Sequence, residues 1–256
     1  MDSLSLDQLV AATVFIGARV SGLMVFCPFL GNAAVPLPMK AVLTLLLTIL
    51  LYAVRGPVQL ALQPWQWAAT GLSEVVIGLL LGLAANFVME APLFAGQILG
   101  VQMGYSLATL FDPQTQADTP VLSTFHQTAA LLIFLRLDVH HWLLRALARS
   151  FSYLPPGQAT VTVAGSGALL HAAGGIFLVG VQIAAPSLAA TLIADAALGF
   201  LGKASPQLPV LFLGLAVKNL LGLAVLIGVM AYWPQIFSTR FAEAIGTGER
   251  LLHLAH

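Results

Sequence analysis

Long apolar runs, each closed by a proline or a short polar break, set what this chain can become. Leu9 to Leu30 carries one charge, Arg19; Ala68 to Met89 carries only Glu74, and Val210 to Trp233 only Lys218. A helix needs about 20 such residues to cross a bilayer. The remainder of the chain cannot rescue a soluble fold. Charged residues make up 8% of the 256, against about 25% in soluble domains. Ten basic and ten acidic residues cannot build a polar surface for a soluble protein of this size, so lipid or partner helices must cover most of it. The fold class that follows is all-α: a polytopic helical membrane protein of long hydrophobic helical hairpins, without a separable domain.

Read in order, the first run is followed by Pro36 and Pro38, and Lys40 opens a shorter one, Ala41 to Val54. Arg55-Gly56-Pro57 ends that run, and Trp65 and Trp67 sit where interfacial aromatics belong. Glu90-Ala91-Pro92 is expected to interrupt the third run, with a fourth from Leu93 to Leu110. A polar segment, Phe111 to Pro120, precedes a fifth run, Val121 to Leu137, and a basic stretch with Arg136, Arg145 and Arg149. Ser150 to Gly165 reads as loop, with a turn at Tyr153-Leu154-Pro155-Pro156-Gly157. Gly167 to Ala194 is expected to end at Asp195. A break through Lys203, Ser205, Pro206, Gln207 and Pro209 leads to the last long run, which Pro234 closes before an amphipathic tail. Six or seven membrane-grade helices result. The acidic start, Met1 to Asp7, argues for a retained first helix and not a cleaved leader. That start leans outward and the Arg136–Arg149 cluster leans cytoplasmic. Each half of the chain holds a glycine-rich apolar pair split by a proline-containing polar break.

Catalytic patterns are missing from the sequence. The histidines, His126, His140, His141, His171, His253 and His256, form no His-Glu-x-x-His pair. Adjacency puts His140 and His141 on different helix faces, which argues against joint metal ligation. Gly165-Ser166-Gly167 lacks the spacing of a serine nucleophile turn, and no glycine-rich phosphate loop occurs. A formal net charge of zero argues against nucleic acid. Cys27, the lone cysteine, makes no internal disulfide. The expectation is a non-enzyme with neither cofactor nor metal.

Three features remain. Gly96, Gly100 and Gly104 recur every four residues, as do Gly78 and Gly82 one run earlier. Small residues at this spacing let helix backbones approach closely, within the monomer or between subunits. Arg19, Glu74, Glu90, Asp195 and Lys218 lie in or beside apolar runs, and a charge at the bilayer centre costs at least about 2.5 kcal/mol unless paired or hydrated. Such residues serve as contacts buried against polar groups of neighbouring subunits or placed outside the hydrocarbon, as a proton or ion pathway, or as helix-end side chains that snorkel to the interface. On the second reading the chain is a proton- or solute-coupled secondary transporter using Glu74 and Asp195. Finally, Phe111, Asp112, Pro113, Gln114, Thr115, Gln116, Ala117, Asp118, Thr119 and Pro120 join two apolar helices, either as an ordinary loop or as a re-entrant segment in a protein-lined pore.

Gly96-Gln97-Ile98-Leu99-Gly100-Val101-Gln102-Met103-Gly104-Tyr105-Ser106-Leu107-Ala108-Thr109, followed by Asp112-Pro113 and Pro120-Val121-Leu122, resembles the signature of the FliR family, known as SctT in the injectisome branch. The Pro36–Lys40 turn, Leu154-Pro155-Pro156-Gly157, Ala185-Pro186 and Ser205-Pro206-Gln207-Leu208 agree in order and spacing. Departures are the Asp138-Val139-His140-His141 turn, Pro38 and Lys218. The resemblance implies a subunit of the bacterial flagellar type III export gate, in the inner membrane and basal body and projecting to the periplasmic side. It implies one copy assembled with FliP-like and FliQ-like sisters, contacts with FlhB-like and FlhA-like components, and passage of unfolded substrates. It further implies a FliP-like part over about 1–160, a FliQ-like hairpin over about 161–256, and a pore plug at Phe111–Pro120.

Overall fold

The computed structural model describes residues 6–32, 35–55, 63–105, 121–158, 166–205, 207 and 209–254. Regular structure among them is helical throughout: α1 (Leu6–Phe26), α2 (Leu37–Arg55), α3 (Pro64–Gln102), α4 (Val121–Arg136), α5 (Val139–Tyr153), α6 (Ser166–Ala204), α7 (Val210–Met230) and α8 (Trp233–Leu254). Five of these are long and apolar enough to cross a membrane, over Leu9–Phe26, Leu37–Arg55, Trp65–Gln102, Ala173–Ala204 and Phe212–Met230, and α4 is a shorter apolar helix.

Two expected breaks are not breaks. Glu90-Ala91-Pro92 does not interrupt the third run, because α3 continues for 39 residues with Pro92 inside it. Proline removes a single backbone N–H. Unwinding the helix there would strand several more polar groups in apolar surroundings, which costs more. The fused third and fourth runs account for the lower helix count. Asp195 likewise does not end its run: α6 extends to Ala204, with Pro186 also inside it. The stretch read as loop from Ser150 begins as helix, since α5 runs to Tyr153 and is capped through Leu154 N–H to Ser150 O.

Prolines do mark starts. Pro36 accepts from Met39 and Lys40 N–H at the head of α2, and Pro209 from Phe212 and Leu213 at the head of α7. The end of α3 is set by Gly104 at φ 85. Its N–H donates to Val101 O, and Tyr105 N–H donates to Gly100 O. This pair of bonds around a left-handed residue satisfies the last carbonyls of the helix.

The chain divides into two compact units that interleave in sequence. One comprises Met1–Phe87, Asp138–Ala173 and Arg240–His256; the other comprises Val88–Leu137 and Gly174–Thr239. In the first, Ile16, Val20 and Leu23 of α1, Ile77 and Leu81 of α3, and Leu147 and Phe151 of α5 form a buried core, joined by Leu51 of α2. Gly248 of α8 lies against Leu81 and Ala84. Few side chains of α2 are covered, Thr48 and Leu51 being its buried residues.

In the second unit α6 and α7 form an antiparallel hairpin whose register steps by four residues on α7. A Cβ on Gly222 would meet Thr191 at 3.1 Å and one on Gly214 would meet Leu198 at 3.4 Å, while Lys218 between them reaches Asp195. Phe94 of α3 and Phe177 of α6 pack edge to face at 5.1 Å between centroids. Trp233 is fully buried, 5.2 Å from the His126 ring and 6.1 Å from Phe237.

Candidate functional site

The first unit is tied together at Arg19. From the middle of α1 its Nε donates to Glu74 Oε2 of α3 at 2.6 Å. Nη1 donates to Ser150 Oγ and Nη2 to the Leu154 carbonyl, each at 3.0 Å. The guanidinium lies 4.2 Å over the Phe151 ring, a cation–π contact that strengthens away from water. Both charged side chains are 0% exposed. The second oxygen of Glu74 accepts the Gly157 N–H at 2.8 Å. Gly157 has φ 84, in a turn closed by Gln158 N–H to Pro155 O. A positive φ at the third position of a turn after Pro-Pro needs glycine, so this turn supplies both the conformation and the donor. Ser150 completes the network by donating to Leu147 O at 2.7 Å. Every charge here has a partner, which a buried ion pair requires if its desolvation cost is to be offset.

Glycine makes the tie possible by letting α1 and α3 touch backbone to backbone. A Cβ on Gly78 would collide with Arg19 O and come 2.7 Å from Leu23 N. One on Gly82 would come 2.7 Å from Leu23 O, and one on Gly22 would collide with Val75 O. In the second unit Gly96 plays the corresponding part between α3 and α4, 2.5 Å from Ser123 Cα by the same construction. Gly100 is buried in α3, whereas Gly104 lies past the helix end and terminates it.

The second unit holds its own polar cluster. Lys218 Nζ of α7 is 3.0 Å from Asp195 Oδ1 of α6. Gln102 Nε2, in the last turn of α3, donates to Asp195 Oδ2 at 2.8 Å. Glu90 is half-buried on α3. Four of the five charged residues singled out in the sequence thus resolve into two pairs, Arg19 with Glu74 in one unit and Lys218 with Asp195 in the other. Ser150, Leu154, Gly157, Gly22 and Gln102 complete the contacts; Leu154 and Gly157 stood out in the sequence only as a turn and Gln102 only within the family resemblance. Phe111–Pro120 lies outside the described residues. Cys27 follows α1 directly and is buried. That burial pushes its thiol up to about 12, so it is a poor nucleophile.

These elements define a polytopic helical membrane protein whose buried charges act as ties between helices. Comparison with known proteins gives the class a family. The model of the family described as bacterial export proteins, family 1, matches residues 10–244. The chain is 30% identical over 254 residues to the flagellar biosynthetic protein FliR of Bacillus subtilis, covering 98% of each chain. It is 32% identical over 229 residues to FliR of Escherichia coli, covering 88% of this chain and 86% of that one. Against FliR of Caulobacter vibrioides the identity is 26% over 240 residues, covering 92% and 94%. The chain belongs to the FliR family of bacterial export proteins.

Proposed function

We propose that this chain is a non-enzymatic subunit of the flagellar type III protein-export gate in the bacterial inner membrane. It assembles with FliP-like and FliQ-like sisters, meets FlhA-like and FlhB-like components, and lets unfolded flagellar proteins through. The observation that carries the reading is helix length. α3 and α6 have 39 residues each, about 58 Å at 1.5 Å per residue, while the hydrocarbon core is about 30 Å thick. Fitting either into that core would need a tilt near 60°, beyond the roughly 0–40° range of membrane helices. Yet apolar residues dominate both, with Glu74 and Glu90 the charged residues of α3 and Asp195 and Lys203 those of α6, and on α6 Ile193 is 70% and Phe200 76% exposed. Lipid alone cannot cover such helices, so other protein must. On this reading the part over about 161–256, which contains α6, α7 and α8, is the FliQ-like hairpin, the part over about 1–160 is FliP-like, and the assembly projects to the periplasmic side. The names of the relatives support the flagellar branch.

The transporter reading fares worse on geometry. Proton or ion carriage needs a carboxylate oxygen that can be vacated, and in Glu74 and Asp195 both oxygens are engaged.

Phe111–Pro120 is proposed as the plug that keeps the resting pore shut, with the energy for export coming from outside this chain. Deleting Thr115–Thr119 is then expected to make cells expressing the assembled gate leak small ions, read as conductance. Unchanged conductance with normal export counts against the plug.

A further inference from the structure

The turn that opens α5 gathers three metal-ligating side chains which take no part in the ties described above. Asp138 is the N-cap of α5 at φ 53 and ψ 30, and its side chain makes no cap hydrogen bond. Its Oδ1 stands 3.5 Å from His141 Nδ1 and 3.9 Å from His140 Nε2. Both distances exceed a hydrogen bond. The two imidazole rings lie 4.2 Å apart between centroids. Mid-helix, adjacent residues diverge, as their spacing predicted. Here both histidines belong to the first turn, where side chains lean back toward the helix start and come over the cap residue.

One ligand atom from each of Asp138, His140 and His141 lies within 4.8 Å of the other two. Bonds of 2.0–2.1 Å in a tetrahedral site separate ligand atoms by about 3.3–3.5 Å. The 3.5 Å edge already fits and the 3.9 Å edge nearly does. Rotation of exposed side chains can draw in the rest: Asp138 and His141 are 67% and 58% exposed, and His140 36%. Two imidazole nitrogens with one carboxylate oxygen suit zinc and its transition-metal neighbours, whereas magnesium and calcium prefer all-oxygen sets.

We propose that Asp138, His140 and His141 form a surface site for a divalent transition-metal ion, with water in its remaining positions. The test uses the full-length protein, co-purified in detergent with its sister subunits without a polyhistidine tag on any of them and titrated with Zn²⁺ against a chromophoric chelator. The wild type is expected to hold one Zn²⁺ per chain. Asp138→Asn, which keeps a residue tolerant of left-handed backbone, and His141→Ala should each weaken it about tenfold or more. The double variant H253A/H256A controls for the tail histidines and should leave binding unchanged. A shift of Co²⁺ absorption to the intensity of a four-coordinate site, lost in the same two variants, would support the geometry independently. Equal Zn²⁺ binding by wild type and D138N/H141A, loss that follows the tail variant, or no binding by the folded wild type would each overturn the site.

Discussion

Replacing Glu74 by alanine is expected to cost about 3–5 kcal/mol, the penalty for leaving one member of a buried ion pair alone. Arg19 would stay at 0% exposure without a counter-charge. Of its polar partners it would keep only the Ser150 hydroxyl and the Leu154 carbonyl, beside the Phe151 ring, and the Gly157 N–H would lose its acceptor. Native stabilities run to about 5–15 kcal/mol, so the variant should be depleted from membranes and unfold early in detergent. Glu74→Gln should fall between the two, since its amide oxygen can still accept a hydrogen bond. Arg19→Lys should resemble the loss of the pair, because an ammonium cannot span Glu74, Ser150 and Leu154 as a planar guanidinium does. The double variant R19M/E74L should recover much of the loss, apolar replacement of whole buried pairs being often neutral or better. Denaturant unfolding of each variant co-purified with its sister subunits checks the series. A Glu74→Ala protein within about 0.5 kcal/mol of wild type, the range of ordinary surface changes, would show that the tie carries nothing.

The second large effect is at the glycine contacts and has a built-in control. Gly78→Ala places a methyl group against the Arg19 carbonyl and the Leu23 N–H of α1. Backbone cannot move aside as a flexible side chain can, so overpacking of about 1–3 kcal/mol or more is expected. Gly71 lies two turns earlier on the same helix, and a Cβ there meets nothing within 4 Å. Gly71→Ala should therefore stabilise by about 0.5–1 kcal/mol, the ordinary gain from replacing a mid-helix glycine. Opposite signs at two glycines seven residues apart test the close approach itself. Destabilisation at both, or at neither, would mean that α1 and α3 are not held backbone to backbone.

What could be read from the sequence followed from local composition. Hydropathy located the helices because a run such as Leu9–Leu30 allows little else. It erred at Pro92 and Asp195, where a local rule for ending a helix lost to contacts made across the fold. Asp195 stays in α6 because Lys218 neutralises it and Gln102 donates a hydrogen bond to it, and those partners are distant in sequence. Arg19 and Glu74 stood out as misplaced charges, yet nothing local says that they pair across 55 positions. Ser150 and Gly157 were harder still. Their signal, a serine on the buried face of an amphipathic helix followed by Pro-Pro-Gly, is indistinguishable from a surface turn until α1 is packed beside it. Gly22 was hidden because it has no glycine partner at the four-residue spacing on α1. The His140–His141 pair shows the reverse case: in the first turn of α5 both side chains lean back toward the N-cap Asp138, and their rings come within 4.2 Å.

The central claim is that these apolar helices are covered by sister subunits, and co-purification tests it most directly. The chain is expressed with and without the FliP-like and FliQ-like proteins of the same organism, then captured alone through a terminal tag in mild detergent. Native mass spectrometry of the eluate should find one copy of this chain bound to several copies of each sister, and the chain expressed alone should be scarce and prone to aggregation. A stable monomer or homo-oligomer that ignores its sisters, and that drives solute-dependent uptake in reconstituted vesicles, would contradict the account.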